Sequence, residues 1–255
     1  MLICAKKNRG LQCIMDYDFT GKVAVISGGS SGMGKLTADN IIAMGGKAVI
    51  ADLNPCEEDE NRIFVSCDVR EYAQMENVAK RAVERFGRID YLCNFAGGDG
   101  IRILKGVRDF LTVDVDILKW EIDVNLTAQM LFARAVLPYM AEHKSGCIIN
   151  LGSIAGAEAS AGSIGYSTAK SGAMHGLTMS LAGYASRYGV RVNCVSPGPV
   201  LTRAAMAKMQ TLLGRAAEPQ EVVDLICYLL SDKAAFITGS NFMIDGGRTC
   251  MKKTV

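Results

Sequence analysis

The sequence has no C-x-x-C pair, and its cysteine count is odd: Cys4, Cys13, Cys56, Cys67, Cys93, Cys147, Cys194, Cys227 and Cys250. That argues against a zinc centre or a disulfide framework. Several of these cysteines fall inside apolar runs, where a free thiol is a small buried hydrophobe, so a reducing cytoplasm is the expected compartment. Excess charge is also missing. Against 26 Asp and Glu stand 28 Lys and Arg, a net charge of +2, which gives no electrostatic case for nucleic acid or an anionic membrane. No apolar stretch is long enough to span a bilayer. Lys6, Lys7 and Arg9 resemble the start of a signal peptide, but Gly10, Gln12 and Asp16 interrupt any apolar core behind them. Repeats, low-complexity tracts and linkers are absent, so a single domain is expected. The two histidines are poor catalytic candidates: His175 lies nine residues past Tyr166, about 180° round a helix, and His143 sits at a helix end, where it meets the dipole.

What is present is a chain of 255 residues, long enough to bury about 70 to 75% of its unfolded surface in one core. Residues 1–18 stand outside the pattern and read as a disordered N-terminal extension, with Met15 an alternative start. From residue 19 to 255 the chain reads as one catalytic domain. Short β-branched runs recur at Val23–Ile26, Ala48–Ala51, Ile63–Cys67, Tyr91–Asn94, Cys147–Leu151, Val190–Val195 and Phe242–Ile244, with helix-period segments between them. Seven strands with helical crossovers predict an α/β fold, a doubly wound parallel sheet with helices on both faces. Tyr72, Met75, Val78, Ala79, Ala82, Val83 and Phe86 form a helical core stripe.

Between the first run and a helix-like segment lies Ser27-Gly28-Gly29-Ser30-Ser31-Gly32-Met33-Gly34. Gly28 and Gly32 suit a tight turn, and Gly34 lets the helix approach the strand, so the helix N-terminus is set to hold a pyrophosphate. Asp52 closes the second run, where a ribose-binding carboxylate is expected. Tyr166 and Lys170 are four residues apart and share one helix face. A neighbouring ammonium would draw the tyrosine pKa down from about 10, making it a base. Ser153, just past the fifth strand, sits where open α/β sheets bind ligands, and its hydroxyl can polarise a substrate oxygen.

In combination these features, with Asp68-Val69 after the third strand and Asn94-Phe95-Ala96-Gly97 after the fourth, resemble the short-chain dehydrogenase/reductase family from about Phe19 to Gly247. The resemblance implies a Rossmann domain and a catalytic tetrad of Asn125, Ser153, Tyr166 and Lys170. It further implies a cofactor-binding set of Ser27, Gly28, Ser31, Gly32, Met33, Gly34, Asp52, Leu53, Asp68, Val69, Asn94, Ala96, Gly97, Tyr166, Lys170, Pro197, Gly198, Val200 and Thr202, with no metal. Phe95 replaces the family's second Asn.

The expected activity is NAD-dependent interconversion of a secondary alcohol and a ketone. NAD rather than NADP follows from Asp52, which would repel a 2′-phosphate, with Ser31 and Leu53 offering no compensating cation. The segment of about 200–217 reads as a small lid whose Met206, Met209 and Leu213 share a helix face, over small neighbours Ala155, Gly156, Ala157 and Ala159. Glu158 and Arg203 are the evident charges nearby. An apolar, adaptable lid suits a bulky alicyclic substrate such as a hydroxysteroid. Alternatives are a polyol, sugar or 3-oxoacyl-type reductase, or an NAD-binding protein without catalysis. Relatives pair through helices matching about 125–142 and 166–188, so a homo-oligomer, tetramer or dimer, is expected, with Met174, Leu177, Met179 and Leu181 as facing material.

Overall fold

The computed structural model describes residues 17–158 and 160–251. The Met15 reading, most of the expected extension and Ala159 therefore lie outside the described residues. Seven strands form one sheet: β1 (Val23–Ser27), β2 (Lys47–Asp52), β3 (Arg62–Ser66), β4 (Tyr91–Asn94), β5 (Gly146–Leu151), β6 (Val190–Pro197) and β7 (Asn241–Ile244). Their order is β3-β2-β1-β4-β5-β6-β7, and every neighbouring pair is parallel. The doubly wound expectation holds, with each strand within two residues of its predicted bounds.

Side chains alternate across the strands with the period of two that a pleated sheet imposes. Val23, Val25, Val49, Leu92, Ile148 and Val192 pack on one face with helices α2 (Tyr72–Phe86), α5 (Ala128–His143) and α7 (Thr178–Ala185). Ala24, Ile26, Ala48, Ile50, Cys93 and Ile149 pack on the other with α1 (Gly32–Ala43) and α8 (Pro219–Leu230). Both faces being covered explains why the strands read as unbroken apolar runs. Tyr17 is buried against Phe19, the ring centroids 6.2 Å apart, so packing begins inside the segment assigned to the extension.

Between β4 and β5 come two shorter helices, α3 (Gly100–Ile103) and α4 (Val115–Ile122). The α4–α5 helix and the helix that follows Ser153 each contain one π-helical stretch. Asp123–Thr127 joins α4 to α5, and Ala173–Leu177 joins α6 (Ile164–Gly172) to α7. A wider turn leaves backbone carbonyls short of partners, and side chains take them: Gln129 Nε2 donates to the Asn125 carbonyl at 2.6 Å, and Thr178 Oγ1 to the Ala173 carbonyl at 2.6 Å. The strand order reverses between β1 and β4, the switch point at which open sheets hold ligands beyond the C-terminal strand ends.

Candidate active site

At that switch point the backbone after β1 touches the backbone after β4. A Cβ on Gly28 (φ +67°) would lie 2.7 Å from the Ala96 nitrogen, and one on Gly34 would run into the Gly28 carbonyl oxygen. Only glycine permits either approach, so the turn and α1 lie flat against the sheet end. Gly32 has φ +54° and nothing within 4 Å of where a Cβ would stand. Ser31, the residue capping α1, makes no side-chain cap, and the first turn carries no acidic residue. The free N–H groups of that turn are thus left for an anion.

A groove of about 400 Å³ runs from this turn along Ser31, Met33, Asp52, Leu53, Asn54, Asp68, Val69, Ala96 and Gly97. The Asp52 carboxylate accepts the N–H groups of Ser30 at 3.1 Å and Asn54 at 3.0 Å, which ties the end of β2 to the glycine turn. Arg70, the one cation lining this groove among the described residues, grips Asp68 through Nε at 3.0 and 3.1 Å. Its guanidinium hydrogen bond holds the Asp68 carboxyl below the ordinary carboxylate range.

A second groove of about 380 Å³ continues the first, sharing Met33, Phe95, Gly97 and Leu151, and contains Ser153, Tyr166, Lys170, Pro197, Gly198, Val200 and Thr202. Ser153 Oγ accepts the Ala155 N–H at 3.1 Å, which fixes the hydroxyl and leaves its proton free to be donated. Lys170 is buried. Its Nζ donates to the Leu151 carbonyl at 2.7 Å, lies 5.7 Å from the centre of the Tyr166 ring, and is pushed down to about 8 by burial. The expected depression of the tyrosine is not produced by the protein groups alone. Burial pushes the Tyr166 phenol up, the Ser153 hydroxyl pulls it back, Asp99 raises it, and Arg203 and Arg102 lower it.

Four expected site residues, Ser27, Gly32, Asn94 and Asn125, do not line either groove. Ser27 lies beneath, its Oγ accepting the Ala96 N–H at 3.3 Å. Asn94 is buried, and its amide donates to Asn150 Oδ1 at 3.1 Å, whose own amide donates to Thr178 Oγ1 at 3.1 Å. This amide relay ties β4 to β5 and α7 where Phe95 interrupts the family's pattern. Asn125 is fully buried in the π-helical stretch: its Oδ1 accepts the Gly98 N–H at 2.8 Å, and its Nδ2 donates to the carbonyls of Gly98 at 3.0 Å and Glu121 at 2.9 Å.

Sequence reasoning passed over Glu121 and Gln129, which flank Asn125 at four-residue intervals, a spacing that places all three on one helix face. Gln129 also bridges to Leu151, accepting its N–H and donating to its carbonyl, both at 3.2 Å. Asp99 and Arg102 enter the groove from the start of α3, unforeseen because only the crossover after β4 brings them there. Glu158 turns instead to Arg248, 3.4 Å away. The lid is shorter than its apolar spacing implied. A 3-10 turn spans Ala204–Lys208, Met209 is extended, and the pocket receives Met206 and Met209 while Leu213 is exposed and bonds through its N–H to Gly246. His175 and His143 are both exposed, and His143 is the last residue of α5, at the helix end expected of it.

Comparison with known proteins agrees with this geometry. Residues 28–249 match the family model described as enoyl-(acyl carrier protein) reductase. Trans-4-hydroxycyclohexanecarboxylate dehydrogenase of Sinomonas cyclohexanicum is 39% identical over 251 residues, covering 89% of this chain and 93% of the relative. 3-alpha-(or 20-beta)-hydroxysteroid dehydrogenase of Mycobacterium bovis is 37% identical, covering 89% of each. Among solved structures, levodione reductase superposes with a TM-score of 0.83 at 28% identity, over 92% of this chain and 100% of that one. The chain belongs to the short-chain dehydrogenase/reductase family. It is an NAD(P)-dependent oxidoreductase that interconverts a secondary alcohol and a ketone. No helix among the described residues is long and apolar enough to cross a membrane.

Proposed function

We propose that the protein is an NAD-dependent dehydrogenase/reductase of a ring-borne secondary alcohol, with Tyr166 as its acid–base. The observation that carries this reading is the convergence of Ser153, Tyr166 and Lys170 at the inner end of a groove that begins at Asp52. The residues present fit the dinucleotide. The uncapped turn of α1 takes the pyrophosphate, and Asp52, already oriented by two N–H groups, keeps lone pairs for the ribose hydroxyls. Because Arg70 is occupied by Asp68, no other cation among the described residues lining this groove answers Asp52, which favours NAD over NADP.

When bound, the nicotinamide accepts or supplies the hydride. Tyr166, as phenolate, takes the hydroxyl proton in oxidation and returns it in reduction, while the Ser153 hydroxyl holds the substrate oxygen. Lys170 spends one N–H on Leu151 and has two for the cofactor ribose and the proton path. Asn125 holds the Gly98 backbone, and with it the wall opposite Tyr166. The ring class rests on Met206 and Met209 over the pocket, and on the ring alcohols named for the two relatives above. We place the enzyme in the cytoplasm as a homotetramer paired through α5 and α7, where Met130, Met179 and Tyr184 are exposed; Met174 is buried and serves the core.

The test is an absorbance screen of alicyclic alcohols, polyols, sugars, hydroxy acids and 3-oxoacyl thioesters with NAD(H) and NADP(H). Ring alcohols with NAD should give the highest kcat/KM, and Tyr166→Phe should lower kcat by about 10² or more while NADH still binds. A higher kcat/KM with NADPH, or with sugars, would overturn the corresponding assignment.

A further inference from the structure

We propose that Arg102 and Arg203 form an anion clamp at the mouth of the substrate pocket, so that the ring alcohol this enzyme takes carries a carboxylate away from its hydroxyl. The inference rests on the ring-alcohol reading and narrows it.

Besides the buried catalytic Lys170, three charged side chains line the substrate half of the groove: Asp99, Arg102 and Arg203. Asp99 already has an ion-pair partner. Its carboxylate pairs with Arg108, whose guanidinium also donates to the Gly162 carbonyl at 2.8 Å and to Ser163 Oγ at 2.9 Å, so that pair is fastened to the start of α6. The other Asp99 oxygen accepts the Arg102 backbone N–H at 3.3 Å. Neither Arg102 nor Arg203 has an ion-pair partner among the described residues, and the Arg203 guanidinium meets only the Met206 sulfur, at 3.6 Å.

These two guanidiniums come from different walls. Arg102 stands on α3 behind β4, and Arg203 opens the lid behind β6. Both line the same pocket as Tyr166, and both lower its pKa against the larger upward push of Asp99. Two cations without ion-pair partners facing one concave space favour an anion between them. The planar fork of arginine matches a carboxylate in a bidentate way that an alcohol or amide does not reproduce. The methionines then cover the ring, and the clamp takes the far end.

The probes are cis- and trans-4-hydroxycyclohexanecarboxylate and their carboxamides, assayed with NAD. In at least one isomer the wild type should prefer the carboxylate in kcat/KM by about tenfold or more. R102Q and R203Q should each reduce that ratio severalfold, and Arg203→Glu should turn preference toward 4-aminocyclohexanol. Equal kcat/KM for acid and amide, or a ratio untouched in both variants, overturns the clamp while the ring-alcohol reading stands. If neither ring series is turned over but another class is, the parent reading has failed, and binding decides the clamp. Calorimetry on the NADH-saturated protein should then show cyclohexanecarboxylate binding more tightly than cyclohexanecarboxamide, a difference lost in R203Q. Equal binding overturns it.

Discussion

Replacing Glu121 by alanine should loosen the catalytic helix from the loop that faces it. The side chain is fully buried, one carboxylate oxygen accepting the Gly100 N–H at 3.0 Å and the other the Tyr166 N–H at 2.9 Å. Tyr166 lies in the first turn of α6, where backbone donors lack helical partners, and Glu121 supplies one from a different helix. A Cβ on Gly165 would collide with this carboxylate, so that glycine makes its approach possible. Burial pushes the Glu121 carboxyl above its usual range, while the backbone N–H groups of Gly100, Ile101 and Tyr166 pull it down. Truncation orphans these donors at about 1–3 kcal/mol each and leaves a cavity, offset by release of a buried carboxylate. The net loss should be about 2–4 kcal/mol, read as a lower urea midpoint at constant slope. Glu121→Gln retains one acceptor but points an amide N–H at the other donor, and should fall between. In turnover, kcat should drop further than the KM for NADH changes, because the displaced group is Tyr166 rather than the cofactor groove. A Glu121→Ala protein within about 0.5 kcal/mol of wild type, or one with unaltered kcat, would refute this reasoning.

Gly34→Ala should cost about 1–3 kcal/mol or more and weaken NADH binding, measured by fluorescence titration, because the added methyl runs into the Gly28 carbonyl and lifts α1 from the turn. Stability should depend on pH through Lys170, whose pKa falls from 10.5 to about 8 in the native protein. Between those values the unfolded chain holds the proton and the native one does not. Wild type should therefore gain up to about 3 kcal/mol relative to Lys170→Met as pH rises through that window; parallel unfolding curves would exclude it. Asp52→Ser should narrow the preference for NADH over NADPH by about tenfold or more in kcat/KM, since it removes the charge that opposes a 2′-phosphate.

The sheet was legible because its five inner strands are buried on both faces and so carry continuous apolar runs, and the β1 turn because its glycines answer steric demands local to eight residues. Tyr166 and Lys170 were legible for the same reason: one helical turn sets their relation. Glu121 and Gln129 escaped because their partners, Gly100, Tyr166 and Leu151, are 21, 45 and 22 residues away, and nothing in a helix of mixed polarity marks which face a distant loop will cover. The charge of the pocket was misjudged likewise. Adjacency in sequence favoured Glu158, which the fold pairs with Arg248, while Asp99 and Arg102 arrive from the crossover after the neighbouring strand β4. The lid failed on local geometry, since the helical spacing of Met206, Met209 and Leu213 does not survive the extended backbone at Met209.

The π-helical stretch at Ala173–Leu177 gives the catalytic helix one place that tolerates a change of chain length. Such a stretch accommodates one residue more than an α-helix would over the same rise. Deleting one residue there would let the helix rewind into continuous α geometry with its hydrogen bonds intact, and the segments on either side would keep their phase. Upstream, Tyr166 and Lys170 would stay turned toward Ser153, and downstream α7 would stay pinned by Thr178 to the sheet through Asn150. Elsewhere along the helix each residue accounts for about 100° of turn, so the same single-codon deletion between Lys170 and the π-helical stretch would swing the reactive groups out of register.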